Sequence, residues 1–200
     1  VLSVTTWLVF FMLIESLRND TYKAVSNVMR NVFGLAGVFV WAFASTCSVM
    51  VSNLMGQKRE DLVITAINKI VRLCMGLCIF ICLLVNIFPA TFFSMFGQGE
   101  EFVQQGIPVL RVVSADLLLM CIANIWLTGV TGTGKTRINL LIEIVAITFY
   151  LLYSWFFIKM NFISLAFAWT NEFIYWSCIF IIAYFYLKGG KWKSEQFADK

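Results

Sequence analysis

Residues 70–96 read IVRLCMGLCIFICLLVNIFPATFFSMF, and beyond Arg72 the stretch carries no charged side chain. A helix needs about 20 apolar residues to cross the ~30 Å hydrocarbon layer of a bilayer. A helix that is apolar all round offers no face to water, so it lies in a large core or in lipid. Working outward, residues 1–17, 32–55, 107–130, 138–157 and 162–187 repeat the pattern, each with few charges. Six such runs in 200 residues predict an all-α membrane protein with six transmembrane helices. Residues 188–200 form a basic tail after the last run.

Composition agrees. The chain is 60% hydrophobic and 13% charged, with a mean hydropathy of +0.85. Soluble domains carry about 25% charged residues. The net charge of +4 is small, so no nucleic-acid partner is expected. The first residue is Val and the first run is already a span. The expectation is a piece of a longer protein.

Cys47, Cys74, Cys78, Cys82, Cys121 and Cys178 all fall within apolar runs. Cys74, Cys78 and Cys82 are four apart and share one helix face. The chain has no His. The expectation is small apolar residues at helix contacts, with no metal site.

The basic residues orient the spans. One set of connections holds Arg18, Lys23, Arg30 and Lys159. The other holds Lys58, Arg59, Lys69, Arg72, Lys135, Arg137 and then Lys188, Lys191, Lys193 and Lys200. The richer side is expected in the cytoplasm, together with the C-terminus. The acidic loop with Glu100 and Glu101 then falls outside. Trp41, Trp126, Trp155, Trp169, Trp176 and Trp192 are candidates for interfacial belts, some of them for the interior. Residues 22–55 are compatible with one long helix. Pro108 is expected in the first turn of the fourth span. Pro89 is expected to kink or end the third. Gly56 and Gly97 mark the ends of the second and third.

Gly129-Val-Thr-Gly-Thr-Gly-Lys135-Thr136 is a literal G-x-x-x-x-G-K-T string. A phosphate-binding loop needs a buried strand before it and an α/β sheet around it. Here an apolar run stands on each side, so a turn between spans is expected. A membrane-anchored nucleotide-binding protein is the reading this disfavours.

The same turn carries a resemblance. Gly132-Thr-Gly134-Lys-Thr-Arg137 resembles the Gly-Ala-Gly-Asp-Thr-Arg turn of the multidrug and toxic compound extrusion (MATE) family. Val51-Ser-Asn-Leu-Met-Gly56-Gln57, followed by basic residues, resembles its Val-Gly-Gln turn. Phe96, an acidic loop and Pro108-Val-Leu-Arg111 resemble its Leu-Phe, acidic, Pro-x-x-Arg passage. Leu187-Lys-Gly-Gly-Lys-Trp-Lys193 resembles the end of many members. In this order the strings resemble the C-terminal six-helix lobe of a twelve-helix transporter. The resemblance implies a secondary transporter in the plasma (inner) membrane, rather than an enzyme, exporting amphipathic or cationic compounds by H+ or Na+ antiport. Its implied partners are lipid, a small-molecule substrate and an N-terminal lobe, with no cofactor beyond the coupling ion. The acid that many sodium-coupled members carry in this lobe's fourth helix falls near Met120 here; Asp116 stands one turn away. Their early Glu in the lobe's first helix has its counterpart, Glu15, near the outer end instead. The alternative within the superfamily is a lipid-linked saccharide flippase, which predicts more basic residues to meet pyrophosphate.

Ionisable groups inside spans cost roughly 2.5–3.5 kcal/mol each at a helix centre and point to function. Asp116 and Glu172 are the leading candidates to bind the ion or substrate; Glu15, Asn124 and Asn171 are further candidates, the two amides at other depths. Asn139 adds a further polar group. Glu15 and Arg30, near the adjacent ends of antiparallel spans, are expected to form an ion pair that could serve as a gate. Glu143 is expected to pair with Lys135 or Arg137, and Arg111 to snorkel to the interface.

Overall fold

In a computed structural model of the chain, residues 2–16, 19–97, 99–159, 164–190 and 192–193 are described, the side chains of 2–7, 16 and 157–159 excepted. Among them the backbone is helical and contains no strand. The helices are α1 (Leu2–Ser16), α2 (Asp20–Gly56), α3 (Val63–Ile87), α4 (Pro89–Ser94), α5 (Glu100–Gly132), α6 (Thr136–Tyr153), α7 (Leu165–Ala168) and α8 (Asn171–Lys188). Five stretches are long and apolar enough to cross a bilayer: Asp20–Gly56, Glu60–Ile87, Glu100–Gly132, Thr136–Phe156 and Leu165–Lys188. The 15 residues of α1 extend about 22 Å at 1.5 Å per residue.

Helix ends follow local chemistry. Asn19 caps α2, its Oδ1 accepting from the Tyr22 N–H at 3.1 Å. Asp20 in the first turn adds a favourable charge there. At the other end the Arg59 N–H reaches the Leu54 carbonyl and the Lys58 N–H reaches that of Met55. This is a Schellman closure, and its left-handed residue is Lys58, at φ 59°. Gly56 is instead the last helical residue of α2. Pro89 stands at the first position of α4, after α3 has ended at Ile87, because a proline tolerates a helix start and not its interior.

Of the expected helix bounds, one is borne out and one is corrected. Pro89 ends the third span as expected: within 70–96 the helix stops at Ile87, and the short α4 begins at Pro89. The fourth span begins at Glu100, so Pro108 lies inside α5 rather than in its first turn. Glu100 and Glu101 favour that earlier start through the helix dipole. The last span, Leu165–Lys188, contains a tight turn at Trp169 and Thr170 between α7 and α8.

The central helix is α5. It packs against α2, α8 and α3, while α6 lies on α8 and α1 touches α6. Small residues set the distances. A Cβ on Gly132 would lie 2.7 Å from the Ser48 carbonyl oxygen, and one on Gly129 would lie 2.7 Å from Ile67. Ser52 Oγ donates to the Gly132 carbonyl at 3.0 Å. Cys47 and Cys82 donate their thiols to the carbonyls of Ile125 and Ser114, each at 3.5 Å. All the cysteines but Cys178 are buried, and none forms a disulfide. Large apolar side chains such as Leu35, Leu73, Phe80, Leu84 and Phe185 are turned outward, as hydrocarbon rather than water permits.

Candidate ion-coupling site

Asp116 sits midway along α5 and is 1% exposed. Neither of its carboxylate oxygens has a hydrogen-bond partner. Glu172 lies in the first turn of α8 and is 2% exposed. The two carboxylates are close enough to interact electrostatically. Asn171 adjoins them: its Nδ2 donates to Ser154 Oγ at 3.3 Å, while its Oδ1 is buried without a donor. Tyr150 from α6 closes the group, its ring hidden and its hydroxyl beside Glu172 and Asn171 without a completed hydrogen bond.

The break between α7 and α8 makes this arrangement. Ser164 caps α7, accepting from the Phe167 N–H at 3.2 Å. Thr170 Oγ1 donates to the Phe167 carbonyl at 2.6 Å and lies 2.8 Å from the Tyr153 hydroxyl. Trp169 is turned inward, not to a lipid interface. Its Nε1 donates to Ser26 Oγ at 3.3 Å, and its ring meets Phe10 edge-on with centroids 5.3 Å apart. Groups from α1, α2 and α6 thus hold the corner at which α8 restarts. The start of α8 at Asn171 puts Glu172 in a first turn, where the helix dipole favours a carboxylate.

The group is therefore acidic and buried, and the oxygens of Asp116 and of the Asn171 amide lack donors. Two carboxylate charges that interact in a low dielectric repel each other. The arrangement is relieved by a cation, or by a proton that turns one oxygen into a donor for the other. Either binding event changes the charge of the pocket.

The other candidates lie elsewhere. Asn124 is two turns further along α5, and its carbonyl accepts from Thr128 Oγ1 at 2.9 Å. Glu15 is exposed near the end of α1. Glu15 and Arg30 form no ion pair; the Arg30 guanidinium lies over the Phe11 ring at 5.2 Å, where a face of π-electrons replaces the carboxylate. Glu143 does not pair with Lys135 or Arg137. Its Oε1 accepts from Asn139 Nδ2 at 3.3 Å, and Asn139 Oδ1 accepts from Thr131 Oγ1 at 3.1 Å. Arg111 is exposed on α5. The string Gly129–Thr136 comprises the end of α5, a turn and the start of α6, with Gly134 at φ 82° and no strand before it. Tyr150 and Ser154 belong to the pocket wall and were not singled out in the sequence. Their signal is a stripe along α6: Asn139, Glu143, Tyr150 and Ser154 fall within about 60° of one another at 3.6 residues per turn.

No curated protein matches the chain significantly. The profile of the MatE family matches residues 1–156, most of the chain and five of the expected six runs. With an all-helical lipid-facing bundle and the turn signatures in order, the chain belongs to the MatE family of membrane transporters.

Proposed function

We propose that the chain is the C-terminal lobe of an exporter of amphipathic organic cations, driven by inward H+ or Na+, and that Asp116 and Glu172 form its coupling site. The observation that carries the reading is the Asp116 carboxylate, buried at the centre of α5 with both oxygens unpartnered and Glu172 beside it. A charge in that position costs energy and is kept for a purpose. Exchange follows from the electrostatics. While the pocket is ionised it attracts a cation, and when a proton or Na+ neutralises it that attraction is lost. In a low dielectric the difference is large. Asn171 Oδ1 and the Tyr150 hydroxyl are placed to complete an oxygen shell or a hydrogen-bond chain. Transporters of this general kind rock one bundle against another around a site near mid-membrane. The basic ends of α2, α5 and α8 are assigned to the cytoplasm of a plasma membrane.

The test is gradient-driven efflux of a fluorescent organic cation in reconstituted vesicles. Asp116→Asn and Glu172→Gln each reduce it by at least about tenfold, the loss expected when a charged partner worth ~1.5–3 kcal/mol is removed. Both variants still insert into the membrane. Imposing a pH gradient or a Na+ gradient alone identifies the ion. Wild-type rates in both variants would remove the carboxylates from the mechanism.

A further inference from the structure

Away from that pocket, α3 and α5 bring three thiols together. The sulfurs of Cys74, Cys78 and Cys121 all lie within 4.8 Å of one another. Their residues are 0%, 1% and 0% exposed. Cys121 is five residues along α5 from Asp116, about 7.5 Å of rise and 140° of rotation, so the cluster is on the side of α5 that meets α3. Cys47 and Cys82 behave differently, each giving its S–H to a backbone carbonyl of α5. The trio turn their thiols toward one another.

We propose that Cys74, Cys78 and Cys121 bind a soft monovalent d10 metal ion, Cu(I), between α3 and α5. Metal–sulfur bonds are about 2.3 Å, so three sulfurs arranged around one ion stand ~4.0 Å from one another. The three sulfurs, all within 4.8 Å of one another, reach that spacing by closing in by less than about 1 Å. Sulfur donors without nitrogen or oxygen favour Cu(I) over hard cations. The surrounding hydrocarbon selects the charge state, because a net charge there is costly to desolvate. One thiol gives up its proton as its sulfur bonds to the ion, and the other two donate lone pairs with their protons retained. The product is neutral, a single proton leaves to water, and copper is neither oxidised nor reduced. The bound ion ties α3 to α5 and stabilises the lobe by mass action.

The test uses the intact protein in detergent, thiols reduced, loaded with Cu(I) under anaerobic conditions and challenged with excess glutathione. One ion per chain is retained, with a sulfur-only shell by X-ray absorption and release of a single proton. Loss of an outer-shell group already weakens metal sites about 10–100-fold, so Cys78→Ala and Cys121→Ala each weaken binding by at least ~tenfold. Cys82→Ala, outside the trio, leaves it unchanged. Loss of copper to glutathione in the wild type overturns the proposal, as does equal retention in Cys78→Ala and Cys121→Ala. Melting curves establish that the variants are folded. If they are not, the wild-type absorption spectrum decides alone, and a shell containing nitrogen or oxygen overturns it.

Discussion

Tyr150 buries its hydroxyl beside Glu172 and Asn171 without a completed hydrogen bond. An unsatisfied buried hydroxyl costs about 1–3 kcal/mol, so its retention next to Glu172 and Asn171 calls for a gain in another state. Tyr150→Phe therefore leaves the melting temperature in detergent unchanged or higher, while gradient-driven efflux falls and its dependence on pH or Na+ moves. Efflux identical to wild type at every pH and Na+ concentration would reduce Tyr150 to a wall residue. Trp169→Phe acts the other way. It removes the indole donor to Ser26, costs about 1–3 kcal/mol and lowers the melting temperature. Asp116 and Glu172 were legible in the sequence because a carboxylate in an apolar run stands out against its neighbours. Tyr150 and Ser154 were not, because tyrosine and serine are ordinary in membrane helices and only the stripe with Asn139 and Glu143 links them. Asn124 was a lesser candidate, a neutral group at another depth, and it lies about 12 Å along the axis from Asp116, outside a shared site. Glu15 and Arg30 looked paired because their spans adjoin, but the Phe11 ring takes up the guanidinium first.

The axis of the bundle is α5, and its close approach to α2 depends on a missing side chain at Gly132. A Cβ there meets the Ser48 backbone oxygen at 2.7 Å, and a backbone atom cannot swing aside as a side chain can. Gly132→Ala thus forces α2 and α5 apart and costs about 1–3 kcal/mol, read as a lower melting temperature in detergent. Gly56→Ala, with nothing within 4 Å of the added carbon, is the control and leaves the melting temperature near wild type. Equal effects of the two substitutions would contradict the close approach. The helix breaks show what local sequence can and cannot reveal. The end of α3 was readable because Pro89 lacks an N–H and fits only a helix start. The corner between α7 and α8 contains neither proline nor glycine. It is held by Thr170 reaching the Phe167 carbonyl and the Tyr153 hydroxyl, and the second of these contacts comes from another helix. Thr170→Val removes both bonds at about 1 kcal/mol each. The expected result is faster amide exchange over 165–172, with efflux reduced because Glu172 is no longer fixed against Asp116. Unchanged exchange there would mean that Trp169 alone sets the corner.

Across the whole molecule the apolar surface and the charged ends carry separate information. The outward Leu, Phe and Met side chains state only that hydrocarbon surrounds the helices, and that was legible from run length alone. Orientation depends on the few charges at the ends. Lys58, Arg59, Lys135, Arg137 and Lys188 are all exposed at the ends of α2, α5 and α8 or the start of α6, whereas the exposed Glu100 and Glu101 begin α5. Since α5 runs from the acidic end to the basic one, a single measurement on this helix and its following turn fixes the direction of the bundle. Lys and Arg near span ends are retained on the cytoplasmic side, and acidic residues contribute little to that choice. The sites for labelling are Gln104, exposed one turn into α5, and Thr136, exposed where α6 begins. The native cysteines interfere little, because five of them are buried and Cys178 lies on a membrane-crossing helix. In intact cells a membrane-impermeant maleimide labels Gln104→Cys, and it reaches Thr136→Cys only after the membrane is opened. The reverse pattern would place the basic ends outside and overturn the orientation, while the direction of exchange at Asp116 and Glu172 would still follow the ion gradient.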